Sequence, residues 1–284
     1  MATFASKKDT DTLVDSHGDV VVILVEGKTD EKFLETMFPG METEIRFESV
    51  GGCTLMVNRL RRERVIYPKV FGLLDRDALK RDKKWSVLFE TDDEAFAGAT
   101  RVDGLYVLTR WEIENYLLDF SAVLNLFNTW KKPPLEAEEL LDRLVNTAIG
   151  ELYVTAGWCT AYAHGLSEKE CPITYSTDPH VLPQHVTQWI EKRLPDAVGL
   201  LHEHTGRVMA FDPGEGVDKR ERLIALLRMV DGKRFLERIR RNWLGLNLDP
   251  SLQLANNVGG IKPRRDDLYR LVQSLTGHDS RLSA

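Results

Sequence analysis

The chain has 284 residues with 43% hydrophobic and 29% charged side chains, and its longest aliphatic run (20–25) is far shorter than a bilayer-spanning helix. Its net charge of −6 and its three cysteines without a CxxC pair argue against a uniformly basic surface, a disulfide framework and a structural zinc site. We expect a cytoplasmic protein whose polar residues 1–19 form a flexible lead-in, because they lack the apolar stretch of a secretory signal.

Four strands are predicted in the first part of the chain. Residues 20–25 form a continuous aliphatic run and residues 70–74 contain no polar side chain, as is typical of strands buried on both faces of a parallel sheet. Residues 44–50 and 105–108 predict two further strands. Helices are predicted for 30–38 and 55–64, and for the polar stretch 80–103 we expect a long loop or an edge hairpin. This strand–helix alternation predicts an α/β fold with a parallel sheet flanked by helices.

From about residue 120 onward the pattern is mainly helical. Helices are predicted for 136–149, 185–192, 217–230 and 232–244, so we expect a catalytic domain over 20–125 and a helical region over 126–284. We expect a buried position for Trp111, Trp130, Trp158, Trp189 and Trp243, and a hydrogen-bonding or exposed role for the pair His202 and His204.

The charge is unevenly distributed along the chain. Residues 1–130 contain 17 Lys/Arg and 23 Asp/Glu, whereas residues 131–284 contain 21 of each. Within the second part, residues 219–241 (the basic segment) contain nine basic and three acidic side chains. Such a segment either binds phosphate groups or pairs with acidic side chains elsewhere, and the pattern favours neither.

Acidic side chains follow the predicted strands at their carboxyl ends, where open α/β sheets bind their ligands. Glu26 follows the first strand, Asp75 and Asp77 follow the third, and Glu112 and Glu114 come shortly after the fourth. Crowded carboxylates repel one another unless a cation neutralises them, and Mg²⁺ prefers oxygen ligands. The pattern therefore indicates a site for Mg²⁺ or Mn²⁺, with two ions as the arrangement suited to phosphodiester cleavage.

Three motifs carry a family resemblance. They are Val25-Glu26-Gly27-Lys28-Thr29-Asp30, Phe71-Gly72-Leu73-Leu74-Asp75-Arg76-Asp77 and Trp111-Glu112-Ile113-Glu114-Asn115-Tyr116-Leu117. The first two resemble the TOPRIM domain of topoisomerases, bacterial primases and overcoming-lysogenization-defect nucleases. The third is similar to the DUF4435 group, which includes nuclease effectors of the PARIS anti-phage defence system. A later Asp231-Gly232-Lys233-Arg234-Phe235-Leu236 resembles a Gly-Lys element of that group.

The resemblance implies a TOPRIM-like fold and a role for each matching residue. Glu26 would be a metal ligand or general acid/base, Asp75 and Asp77 the metal-binding Asp-x-Asp pair, and Asp30 and Glu114 further metal ligands. Lys233 would contact the scissile phosphate. The resemblance also implies a toxic nuclease that cleaves RNA, with tRNA favoured, or DNA. An ABC/SMC-like ATPase would restrain it, and it would self-associate when active.

Simpler interpretations of the same residues remain open. Asp30 and Asp77 could each cap the helix that comes next, and Glu114 could be an ordinary glutamate in the first turn of a helix. Glu112 replaces Glu114 as a ligand if the match to the family motif is shifted by two residues. Lys233 could belong to a solvated basic helix face.

Two other functions compete with a nuclease. One is a catalytically silent TOPRIM regulatory subunit that binds a partner ATPase. The other is a receiver-like or HAD-like phosphotransfer domain, which the position of Glu26 as the first acid fits poorly.

Overall fold

The computed structural model describes residues 20–131, 133–167 and 170–277, so the predicted lead-in 1–19 lies outside the described residues. Short 3₁₀ turns occur at Pro179–Val181 and Pro195–Ala197, and a π-helical turn at Ile239–Trp243. The remaining elements, in chain order, are β1 (Val21–Val25), α1 (Lys28–Met37), β2 (Ile45–Ser49), α2 (Cys53–Arg64), β3 (Val70–Leu74), α3 (Ala78–Arg81), α4 (Trp85–Leu88), α5 (Asp93–Thr100), β4 (Leu105–Val107), α6 (Glu114–Leu117), α7 (Phe120–Trp130), α8 (Ala137–Ala163), α9 (Leu182–Arg193), α10 (Val198–Met209), α11 (Lys219–Leu226), α12 (Gly232–Arg238), α13 (Ser251–Gly259) and α14 (Asp267–Thr276).

The described residues group into two compact units. The first unit contains 20–74, 97–108 and 259–277, and the second contains 75–96, 109–131, 133–167 and 170–258. Each unit is built from separated segments of the chain. This grouping differs from the predicted contiguous division into 20–125 and 126–284.

The first unit contains a four-stranded sheet in the order β2-β1-β3-β4. All neighbouring strands are parallel, with Val22 opposite Val70 across β1 and β3 and Gly72 opposite Leu105 across β3 and β4. The prediction of an α/β fold with a parallel sheet is therefore confirmed, as are the positions of its four strands.

The central strand of this sheet is apolar throughout because it is covered on both faces. All five residues of β1 are buried, and the helices that follow β1 and β2 place Leu34, Met37, Met56 and Leu60 in the core. Because β1 and β3 are parallel neighbours, Val25 and Leu74 end at the same edge of the sheet. The residues next in sequence are Glu26 and Asp75.

Helix α8 forms the centre of the second unit. It spans Ala137–Ala163, and α9, α10 and α11 pack against it. The predicted end at Ile149 is wrong, because Gly150 does not terminate the helix. A side chain at Gly150 would begin 2.6 Å from the carbonyl oxygen of Pro179, so glycine is required there for a close approach of another segment.

Two further expectations are wrong. The stretch 80–103 is neither a loop nor a hairpin but contains α4 and α5 and the end of α3, which are too short to give a clear helical period in the sequence. Of the tryptophans predicted to lie in the core, Trp130 is 48% exposed and donates a hydrogen bond from its indole nitrogen to Gln253, whereas the other four are buried.

Among the described residues, no helix is long and apolar enough to cross a membrane.

Candidate functional site

The Asp75-Arg76-Asp77 turn of the second unit lies beside the Trp111-Glu112-Ile113 segment. The backbone N–H of Asp77 donates to the carbonyl oxygen of Trp111 at 3.3 Å. The backbone N–H of Ile113 donates to Oδ1 of Asp75 at 3.2 Å. Asp77 is the N-cap residue directly before α3, but its side chain does not accept a capping hydrogen bond, so the cap interpretation is not supported. These contacts bring the Asp-x-Asp motif next to Glu112 and Glu114.

The buried side chain of Arg76 holds this turn in place. It is fully buried, and its guanidinium donates to the carbonyl oxygens of Leu88, Glu90 and Thr109 at 2.6–3.0 Å. The guanidinium also lies over the ring of Phe96, 4.1 Å from its centroid. Burial lowers the pKa of Arg76 to about 9. Arg76 was not predicted as a site residue, because nothing in the local pattern shows that it points inward.

Lys233 lies on the acidic pair that comes after the fourth strand. Its Nζ is 2.6 Å from Oε2 of Glu112 and 3.6 Å from Oε2 of Glu114. Its backbone N–H donates to Oε1 of Glu112 at 2.7 Å. Glu112 and Glu114 are both 4% exposed, whereas the Lys233 side chain is 59% exposed. Two motifs separated by 121 residues therefore meet here, and Glu112 is the closer partner of Lys233.

The charge of Lys233 is set by these neighbours. Burial of its ammonium alone would lower the pKa of Lys233, but the negative charges of Glu112 and Glu114 outweigh that effect and raise the pKa well above its usual range. Lys233 is therefore a permanent cation at neutral pH and is not suited to act as a general base.

Asn115 connects the two motifs. It is fully buried, its Oδ1 accepts a hydrogen bond from the backbone N–H of Glu112 at 3.0 Å, and its side-chain amide donates to the carbonyl oxygen of Val230 at 2.8 Å. Its own carbonyl oxygen accepts from Arg110, whose guanidinium lies over the Tyr116 ring. Asn115 was part of the predicted Glu-Asn-Tyr element, and the structure shows that its role is to hold that element against residues 230–233.

Gly232 makes this close approach possible, and its replacement is expected to disturb the site. A Cβ at Gly232 would lie 2.8 Å from Oδ1 of Asn115 and 3.0 Å from Cβ of Glu114. We expect Gly232→Ala to lower the free energy of unfolding by about 1–3 kcal/mol, as overpacking of a buried contact does. Chemical denaturation of this variant beside Gly206→Ala, where the Cβ would meet open space, measures the effect. Equal stabilities for the two variants would contradict this packing.

A second lysine lies close to the acids. Lys80 is 2% exposed, its Nζ is 3.9 Å from Oδ2 of Asp77, and the rings of Trp111 and Tyr162 lie within 6 Å of it. A buried lysine is rare unless it is paired, so Lys80 contributes positive charge next to Asp77. Lys80 was not predicted from the sequence, although its i,i+3 spacing from Asp77 on a helix would have been a signal.

Glu26 and Asp30 belong to the first unit. The carbonyl oxygen of Glu26 accepts from the backbone N–H groups of Gly51 and Gly52, which both have positive φ. Asp30 is the third residue of α1, and its Oδ2 accepts from the backbone N–H of Gly27 at 2.8 Å. Asp30 therefore stabilises the start of the helix from within its first turn, while Gly27 is the N-cap residue.

The acids supply the oxygen atoms that Mg²⁺ or Mn²⁺ prefers. Across 20–131, 133–167 and 170–277, no group of three or more His, Cys, Asp and Glu side chains could hold a metal ion. Beside Glu112 and Glu114, a cation is already supplied by Lys233. The predicted ligand set of Glu26, Asp30, Asp75, Asp77 and Glu114 stays a prediction.

The basic segment pairs with acidic side chains. Eight of its nine basic residues form an ion pair with a carboxylate, and the ninth, Arg220, lies over the Phe120 ring. Most of the partners lie outside the segment, among them Asp93, Glu112, Asp142, Glu151 and Asp212. Of the two interpretations left open by the sequence, the structure favours pairing over a dedicated phosphate-binding strip.

Comparison with protein-family models and with curated proteins finds no match to this chain.

Proposed function

We propose that this protein is a metal-dependent endonuclease that hydrolyses phosphodiester bonds. The observation that carries the proposal is the cluster in the second unit. There, the buried Glu112/Glu114 pair lies next to Asp75 and beside the ammonium of Lys233, whose side chain is 59% exposed. Buried carboxylates paired with a cation are costly to maintain for stability alone and are typical of functional sites.

Each member of the cluster has a proposed task. Asp75 and Glu114 would supply oxygen ligands, and Lys233 would attract a substrate phosphate and stabilise the charge that develops on it. A bound Mg²⁺ or Mn²⁺ would supply the Lewis acidity that phosphodiester hydrolysis requires. The resemblance to TOPRIM nucleases supports further roles for Asp77, for Asp30 as a ligand and for Glu26 as a ligand or general acid/base.

The biological setting of this activity rests on the same resemblance. It favours RNA, and tRNA in particular, over DNA as the substrate of a toxic effector in anti-phage defence. It also favours an ABC/SMC-like ATPase as the restraining partner and a homo-oligomer as the active form.

The test of the proposal is cleavage by the wild type and by Glu26→Gln. We expect discrete RNA or DNA fragments in cells that express the wild type, and intact nucleic acid with Glu26→Gln, because a glutamine of the same shape lacks the negative charge. Glu35→Gln, on the exposed face of α1, is the matched control and should cleave as the wild type does. Full activity of Glu26→Gln in purified form with Mn²⁺ would disprove the assignment of Glu26.

Metal dependence is tested separately. Titration calorimetry with Mn²⁺ should show weaker binding by Asp75→Asn and Asp77→Asn than by the wild type, because each variant lacks one charged oxygen donor. Unchanged affinity in both variants would remove the metal role of the Asp-x-Asp pair.

A second candidate is the catalytically silent regulatory subunit. The observation in its favour is the neutralisation of Glu112 by Lys233, together with the lack of a three-ligand group among the described residues. A purified wild type that binds no Mn²⁺ and cleaves neither RNA nor DNA, but binds a partner ATPase, would support this candidate over the nuclease.

A further inference from the structure

We infer that Glu112 is a positioning residue that holds Lys233 and is not itself a metal ligand. This inference rests on the proposed function and states which of the two glutamates at that site, Glu112 or Glu114, is the metal ligand.

Both carboxylate oxygens of Glu112 are engaged by the same residue. Oε1 accepts the backbone N–H of Lys233 at 2.7 Å, and Oε2 accepts its Nζ at 2.6 Å. A charge-assisted pair of this kind is among the stronger hydrogen-bond arrangements in proteins. The Lys233 ammonium 2.6 Å from Oε2 repels a second cation, so coordination of a divalent ion by Glu112 becomes favourable only if Lys233 moves away.

The frame around Glu112 makes that rearrangement costly. The backbone N–H of Glu112 is held by Asn115, and Gly232 packs against Asn115 with no room for a side chain. At the other side of α12, Arg234 and Arg238 each form a 2.5 Å ion pair with the buried Glu151 of α8. Helix α12 is thereby anchored on two sides, so the N–H of Lys233 cannot withdraw from Glu112 without disturbing both anchors.

Glu114 is held differently. Its Oε2 lies 3.6 Å from Nζ of Lys233, which is beyond hydrogen-bond distance. The ammonium of Lys233 is therefore bound more closely by Glu112 than by Glu114. Of the two carboxylates, Glu114 is the one that can bind a divalent ion without loss of a hydrogen bond to Lys233.

The result is an ammonium held in one position. Glu112 binds both the backbone N–H and the Nζ of Lys233, while 59% of the lysine side chain as a whole is exposed. A lysine held in this way keeps its charge in one position, which is what a group that binds a substrate phosphate requires.

Four purified variants test the inference: Glu112→Gln, Glu114→Gln, Lys233→Met and the double variant of Glu112 and Lys233. In Mn²⁺ titrations of the substrate-free protein we expect Glu114→Gln to weaken binding about tenfold or more, and Glu112→Gln to change it less than about threefold. For cleavage we expect Glu112→Gln to lower kcat/KM, with the double variant no slower than Lys233→Met alone, because Glu112 acts through Lys233. Should Glu112→Gln fail to fold, Glu112→Asp, which keeps the charge at a shorter reach, gives the same comparison.

The thermal stabilities of the same variants separate the inference from the proposed function. We expect the Tm losses of Glu112→Gln and Lys233→Met to be non-additive, whether or not the protein cleaves nucleic acid. Additive Tm losses, or a tenfold loss of Mn²⁺ affinity in Glu112→Gln, would overturn the inference. Non-additive losses in a protein that neither binds Mn²⁺ nor cleaves would uphold the Glu112–Lys233 anchor and refute the nuclease.

Discussion

Replacement of Glu151 by glutamine is expected to lower the free energy of unfolding by about 3–5 kcal/mol, the cost of leaving a buried charge without its partner. Glu151 is 1% exposed and is the carboxylate partner of both Arg234 and Arg238. The two guanidinium groups would retain their hydrogen bonds to the carbonyl oxygens of Ile173 and Thr177, but their positive charges would no longer be neutralised.

Glu138→Gln is the matched control for this prediction. Glu138 is on the same helix, but its side chain is 80% exposed and pairs with Lys219, which also contacts Asp142. An exposed pair of this kind contributes little to stability, because water screens both charges. Denaturant unfolding of the two variants compares the contributions directly. A loss below about 1 kcal/mol for Glu151→Gln would show that the buried cluster does not stabilise the second unit.

A pH-dependent loss of stability is expected from His204. This residue is 3% exposed, packs against the rings of Trp85 and Phe89, and its Nδ1 is 3.0 Å from Oγ1 of Thr160. Because the Thr160 hydroxyl donates to the carbonyl oxygen of Ala156, we assign Nδ1 as the protonated nitrogen of a neutral ring. The hydrogen-bonded role predicted for His204 is confirmed, and its neighbour His202 is exposed.

The direction of the effect is set by proton binding in the two states. Burial lowers the pKa of His204 from 6.5 to about 4, with smaller effects from Glu203, Arg207 and His164. Between these two values the unfolded chain binds a proton at this position and the folded chain does not, so acid favours unfolding. The contribution of the neutral His204 ring to the free energy of unfolding is complete above pH 6.5 and is lost progressively down to about pH 4. A shift of this size corresponds to about 3 kcal/mol.

Unfolding measurements from about pH 4 to pH 7 on the wild type and His204→Gln test this expectation. The wild type should lose about 3 kcal/mol more stability than the variant as the pH falls, because glutamine does not titrate. Parallel pH profiles for the two proteins would show that His204 is protonated in the folded state as readily as in the unfolded chain.

Local sequence patterns were sufficient to predict the strands of the sheet. The aliphatic run Val21–Val25 predicts a doubly covered central strand because no other arrangement buries five consecutive apolar side chains so well, and Val70–Leu74 predicts its neighbour for the same reason. The motif residues Asp75, Glu112, Glu114 and Lys233 were also identified from the sequence. Their pairing was not, because a pattern of residue types carries no information on which acid a lysine meets.

The sequence by itself determined the α/β class, the parallel strands and the acidic residues that come after the strands, since these depend on side-chain period and on the residue types that follow each strand. The tertiary structure alone decided that Lys233 meets Glu112, 121 residues earlier in the chain, and that the basic segment pairs with acids instead of remaining open. It also decided that Gly150 is a contact point within a long helix. These outcomes depend on contacts between segments distant in sequence, where burial and charge neutralisation outweigh the local preferences that a sequence pattern records.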